Sequence, residues 1–91
     1  LDGKSPTVAI VDDEEMVATA LRSFLNLETS YRVLTFTDPQ QALEQLGSER
    51  VDVVVADFMM PGMDGITFLK RVRETIPQAT RILLTGYADK E

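Results

Sequence analysis

Short apolar runs alternate along the chain with longer segments in which apolar residues recur at helical spacing. Val8–Val11, Val53–Ala56 and Ile82–Leu84 are continuous apolar runs, which is typical of strands buried on both faces of a parallel sheet. Tyr31–Phe36 has the β-branched and aromatic residues of a strand but also carries Arg32, so we place it at a sheet edge. The pattern therefore predicts four strands separated by helices.

The spacing predicts a first helix from Glu14 to about Leu27, with two acids in its first turn that suit the positive end of the helix dipole. The residues expected to face the sheet are Val17, Ala20, Leu21, Phe24 and Leu25. Another helix is predicted after the MPGMDG turn and before Pro77, which is a plausible stop signal. Its apolar side consists of Ile66, Leu69, Val72 and Ile76.

The second predicted helix has start and stop signals that agree with one another. Asp38 is a suitable N-cap, and Pro39 occupies the first helical position. Gln41 completes a capping box, and Gly47 marks the end of the helix. The residues predicted to face inward are Ala42, Leu43 and Leu46.

These elements predict an α/β fold with a doubly wound parallel sheet. Right-handed crossovers favour the strand order 2-1-3-4, in which the topological switch lies between strands one and three. Asp12 and Asp13 end strand one, and Asp57 ends strand three. Because ligands bind at the carboxyl ends of the strands beside such a switch, we expect these three carboxylates to converge at a site.

Composition narrows the chemistry of that site. The length of 91 residues fits one domain, and the net charge of −6 argues against direct nucleic-acid binding. We find no apolar run of membrane-spanning length and no signal-peptide pattern, so we expect a cytoplasmic location. The chain has no Cys and no His, which excludes thiolate and imidazole ligands within it.

Three neighbouring carboxylates would raise one another's pKa unless a cation lay between them. Oxygen ligands without His or Cys favour Mg²⁺ or Mn²⁺ over Zn²⁺. Mg²⁺ uses one or two carboxylates and leaves coordination positions for a phosphoryl group. The sequence therefore predicts that Asp12, Asp13 and Asp57 bind a hard divalent cation, Mg²⁺ or Mn²⁺.

Three motifs at this spacing resemble the receiver domain of two-component response regulators: IVDD, then an Asp followed by FMMPGMDG, then LLTG. The resemblance implies a flavodoxin-like fold in which Asp57 accepts a phosphoryl group from a sensor histidine kinase or phosphotransfer protein. It implies that Asp13, Asp57 and the carbonyl of Met59 bind Mg²⁺, while Asp12 assists. It also implies that the hydroxyl of Thr85 reaches the phosphoryl oxygen as a switch.

The chain departs from that family at its end. A full receiver continues into a fourth helix, a fifth strand that ends in a Lys, and a fifth helix, and this sequence stops before them. We therefore expect residues 7–91 to be a partial receiver. The opening LDGKSP lacks Met, so we expect residues 1–6 to be a tail or an expression remnant. Strand four would then have an open edge, which predicts either self-association through strand four or helix three, or a longer parent domain.

Two other functions remain open at this stage. A Mg²⁺-dependent phosphate-ester hydrolase could use Asp57 as nucleophile, but such enzymes typically place a second Asp two residues later, where this chain has Met59. A degenerate receiver that serves only protein interaction is the other alternative. The complete set of Asp12, Asp13 and Asp57 argues against it.

Overall fold

The computed structural model describes residues 5–85 and contains one sheet of four parallel strands in the order β2-β1-β3-β4. Strands and helices alternate along the chain, which confirms the predicted fold class and strand order. The elements are β1 (Thr7–Val11), α1 (Glu15–Glu28), β2 (Arg32–Phe36), α2 (Pro39–Leu46), β3 (Val53–Asp57), α3 (Gly65–Thr75) and β4 (Thr80–Leu84).

The two central strands separate two apolar layers. On one side of the sheet, α2 and α3 pack against alternate residues of β1 and β3, among them Val11 and Val54. On the other side, α1 packs against Val8 and Ile10 of β1. All five residues of β1 are buried, as expected for a central strand that is covered on both faces.

The prediction for α1 was correct in extent and partly wrong in orientation. Ala18 is buried against the sheet, and Leu21 and Leu25 pack beside it. Val17, Ala20 and Phe24, which were also predicted to face inward, are exposed, and Phe24 is 60% accessible. Apolar residues cover more than half of this helix's circumference, so their spacing alone does not select the side that contacts the sheet.

The helix ends follow local hydrogen-bonding chemistry. The carboxylate of Asp38 accepts a hydrogen bond from the amide of Gln40 (3.0 Å), and Asp64 accepts one from the amide of Thr67 (2.8 Å). These bonds satisfy amide groups that have no partner inside the helix. Within residues 5–85, no side-chain bond returns from Gln41 to Asp38, so the reciprocal half of the predicted capping box is not formed.

β4 pairs with β3 in parallel and lies at the edge of the sheet among the described residues. Its sequence suggested a buried strand, but Ile82 is 42% exposed, and Leu83 and Leu84 are half-buried. A strand with one neighbour presents more of its side chains and backbone to solvent than a central strand does. Self-association through β4 or α3 stays a prediction.

Two phenylalanines provide a matched test of this packing. Phe68 is fully buried between α3 and the sheet, whereas Phe24 lies on the open side of α1. We expect Phe68→Ala to lower the free energy of unfolding by about 3–5 kcal/mol, because it leaves a cavity in the core. Phe24→Ala should change that free energy by no more than about 0.5 kcal/mol. Urea denaturation of both variants measures this, and equal losses would contradict the assigned orientation of α1.

Candidate metal centre

Two neighbouring strands deliver three carboxylates to one place. β1 and β3 pair in parallel, with Val11 opposite Ala56, so the residues that follow in each strand emerge side by side. Asp12, Asp13 and Asp57 each offer a carboxylate oxygen, and these oxygens lie within 4.8 Å of one another. The structure thus brings together the three acids that the sequence placed at the topological switch.

Asp12 is the most firmly held of the three. Its side chain is buried, and the residue is only 4% exposed. Its backbone amide donates to the carbonyl of Phe36 at the end of β2 (3.0 Å), and its Oδ1 accepts from the amide of Glu14 (2.9 Å). Asp12 therefore helps to start α1 while its other carboxylate oxygen remains for the site.

Asp57 and Asp13 are more accessible. Asp57 is half-buried at the end of β3, and Asp13 is exposed. Burial raises the pKa of the Asp57 carboxyl, the charges of Asp12 and Asp13 raise it further, and a hydrogen bond from the Phe58 amide opposes them. The negative charge of Glu14 adds to the increase. This electrostatic strain is what a bound cation would relieve.

The acids line an open cleft of about 870 Å³, together with Glu14, Val17, Met59, Leu84 and Thr85. Thr85 follows β4 directly and is exposed at the rim. Met59 also lines the cleft, and its side chain is largely exposed. Metal binding by the Met59 carbonyl and a switch role for Thr85 stay predictions.

The donor chemistry fits a hard divalent cation. All three converging groups are carboxylates, and the cleft is open enough for metal-bound water and a phosphoryl group. Asp12, Asp13 and Asp57 would hold Mg²⁺. The sequence interpretation treated Glu14 only as part of a helix start, but its position directly after the acidic pair was a signal that it also lines the cleft.

The loop between β3 and α3 is held at several points. Met60 is buried in the core, while Gly62 has a left-handed backbone with φ of 81°. Asp64 caps α3, and hydrogen bonds from Thr67 lower the pKa of its carboxyl. At the start of the loop, the amide of Phe58 donates to the carbonyl of Leu84 (2.9 Å). The residues directly after Asp57 are thus fixed to the neighbouring strand and to the core.

This arrangement agrees with the comparisons to known proteins. The family described as the response regulator receiver domain matches residues 8–91. The chain belongs to this family. It is 42% identical over 91 residues to the hydrogenase transcriptional regulatory protein HoxA of Cupriavidus necator, covering 100% of this chain and 18% of that protein. The alkaline phosphatase synthesis regulator PhoP of Bacillus subtilis is 41% identical over 80 residues, which are 87% of this chain and 32% of PhoP.

Solved receiver structures share the fold. The response regulator TrrA of Thermotoga maritima, in complex with Mg²⁺ and BeF, superposes with a TM-score of 0.83 at 31% identity, over 91% of this chain and 71% of TrrA. The signal receiver domain of an HD domain-containing protein from Pseudomonas fluorescens gives 0.87 at 37% identity, over 96% of this chain and 69% of that one. This chain covers less than a third of the length of each of the curated regulators HoxA and PhoP. Among residues 5–85, no helix combines the length and apolar character required to cross a membrane.

Because the pKa of Asp57 is raised in the folded chain, we expect the free energy of unfolding to depend on pH. A folded-state pKa above the unfolded value means that the folded receiver binds this proton more tightly, so stability falls as pH rises through that window. Asp57→Asn removes the charge. We expect this variant to unfold at higher urea concentration than the wild type at neutral pH without metal.

The difference between the two proteins should disappear below the usual carboxyl pKa, where Asp57 is neutral in both the folded and the unfolded state. Urea titrations across pH in a chelator measure the effect, and the same titrations with Mg²⁺ serve as the control. An Asp57→Asn variant that is less stable than the wild type at neutral pH would contradict a raised pKa of Asp57 in the folded chain.

Proposed function

We propose that this receiver accepts a phosphoryl group on a carboxylate oxygen of Asp57, from a phosphohistidine of a sensor kinase or phosphotransfer protein. The observation that supports the proposal most strongly is the convergence of Asp12, Asp13 and Asp57 within 4.8 Å at the ends of two paired strands. Asp57 lies at the mouth of the cleft, half-buried and open to a large partner.

The chemistry requires an ionised nucleophile and few other groups. One oxygen of Asp57 attacks phosphorus, the new O–P bond forms, and the P–N bond to the donor imidazole breaks, so that the electron pair leaves with the imidazole nitrogen. Bound Mg²⁺ would neutralise negative charge on the transferring group and favour the ionised form of Asp57. Asp12 and Asp13 would supply the negative charge that holds the cation beside Asp57.

Thr85 is the candidate residue for contacting the phosphoryl group once it is on Asp57. It lines the same cleft from the end of β4, next to Leu84, whose backbone pairs with the start of the loop after Asp57. A hydroxyl at this position is suited to donating a hydrogen bond to a phosphoryl oxygen. Such a bond would draw the end of β4 toward Asp57, and the surface around Thr85 would change for an output partner.

The hydrolase alternative receives less support from the site. Met59 lines the cleft two residues after Asp57, and its thioether cannot act as a general acid. Phosphorylation of Asp57 is therefore the better interpretation of the same nucleophile.

Intact mass after incubation with acetyl phosphate and Mg²⁺ tests the acceptor. We expect a gain of one phosphoryl group in the wild type and no gain in Asp57→Asn or in a chelator. Asp38→Asn is the matched control, because Asn also caps a helix and Asp38 lies outside the cleft. A label that persists in Asp57→Asn would assign the acceptor to another residue.

Thermal unfolding with increasing Mg²⁺ tests the cation site separately from phosphorylation. We expect stabilisation that reaches about 2.7 kcal/mol at a hundred times the dissociation constant, as for any ligand that binds only the folded state. Asp13→Asn should remove most of this gain, whereas Asp38→Asn should keep it. Equal stabilisation of both variants would place the bound cation outside the acidic cleft.

A further inference from the structure

Gly65 begins α3 and lies against the backbone of Asp57. A Cβ atom at this position would overlap the carbonyl oxygen of Asp57, and it would lie 3.0 Å from the carbonyl carbon of Asp57 and 2.7 Å from Cδ1 of Leu83. Real Cβ atoms essentially never approach heavy atoms this closely. The first turn of α3 therefore packs against the Asp57 peptide at a distance that only glycine permits.

Gly62, in the same loop, is required for a different reason. Its φ of 81° is left-handed, and a Cβ there would meet nothing within 4 Å. Gly65 has no left-handed φ. Glycine is required at position 62 for the left-handed backbone conformation, and at position 65 because a side chain would overlap the Asp57 backbone.

The overlap at Gly65 cannot be relieved by a side-chain rotation, because its closest partner is backbone. Either α3 or the end of β3 would have to move. Phe68, Leu69 and Val72 bury α3 in the core, and the amide of Gly65 donates to the carbonyl of Phe58 (2.9 Å). The end of β3 is held as well, because Asp57 pairs with Leu84 of β4. Since both elements are anchored, we expect the overlap to be shared between them, and part of the displacement falls on Asp57, the residue that carries the nucleophile.

We propose that Gly65 is a positioning residue for Asp57: the missing side chain lets the first turn of α3 support the Asp57 peptide and so holds its carboxylate within reach of Asp12 and Asp13. This inference rests on the proposed function of Asp57. It adds a residue that contacts neither the cation nor the phosphoryl group and that acts through the backbone of the nucleophile.

Leu83 allows this role to be separated from ordinary packing. The second overlap at Gly65 involves Cδ1 of Leu83, an atom that Leu83→Val removes. In the double variant Gly65→Ala/Leu83→Val, the side-chain overlap is gone while the overlap with the Asp57 backbone remains. If Gly65→Ala acts only through its side-chain overlap with Leu83, cation binding should recover in the double variant, whereas a positioning role through the Asp57 backbone predicts that cation binding stays weak.

The experiment compares Gly65→Ala, the double variant, Leu83→Val and Gly62→Ala with the wild type. The Mg²⁺ dissociation constant is measured by calorimetry, and acetyl phosphate labelling is followed by intact mass. Trimethylamine N-oxide is included throughout to favour the folded state, with circular dichroism to verify folding. We expect Gly65→Ala and the double variant to bind Mg²⁺ at least about tenfold more weakly, as is typical when a residue that orients a metal ligand is changed.

Gly62→Ala is the matched control, because it strains the same loop without meeting the Asp57 backbone. It should lower the urea midpoint and leave the Mg²⁺ dissociation constant unchanged, as should Leu83→Val. Wild-type Mg²⁺ affinity in folded Gly65→Ala, or its recovery in the double variant, would overturn the proposal. Weak Mg²⁺ binding in both Gly65 variants would support the positioning role of Gly65. Failure of the wild type to gain a phosphoryl group would contradict phosphoryl acceptance by Asp57 but would leave the Mg²⁺ result for Gly65 unaffected.

Discussion

The parallel pairing of β1 with β3 is the constraint on which the site depends. The register sets Val11 beside Ala56. The acidic residues that follow in each strand therefore lie close together at the same edge of the sheet. Three acids within 4.8 Å are unfavourable on their own, since each charge disfavours the others. The buried apolar strands, covered by helices on both faces, provide stabilisation that opposes this repulsion.

Asp12 and Asp57 belong to the same acidic cluster but have different surroundings. Asp12 is buried and uses one oxygen to hold the start of α1, so it is suited to fixing charge in place. Asp57 is more open, and its raised pKa reflects burial and the neighbouring acids. Two aspartates at neighbouring strand ends therefore differ in hydrogen bonding and solvent exposure, and the more accessible one, Asp57, is the residue for which we propose phosphoryl acceptance.

Most of the fold could be predicted from the sequence because its signals are local and consistent. Continuous apolar runs identified the central strands, and Asp38 and Pro39 identified the start of α2. The convergence of Asp12, Asp13 and Asp57 followed from the parallel topology alone. The inward side of α1 could not be deduced, because its apolar arc is wider than the face that touches the sheet. The space requirement at Gly65 depends on how closely α3 approaches β3, which is a tertiary distance that no sequence spacing records.

We propose that the three strand-end carboxylates form a cation site beside a phosphoryl acceptor. A crystal structure of this chain with Mg²⁺ and beryllium fluoride tests it most directly. We expect a cation about 2.0–2.1 Å from oxygens of Asp13 and Asp57, with the beryllium fluoride adduct on the other oxygen of Asp57. A cation bound elsewhere, or an adduct on a different carboxylate, would contradict it.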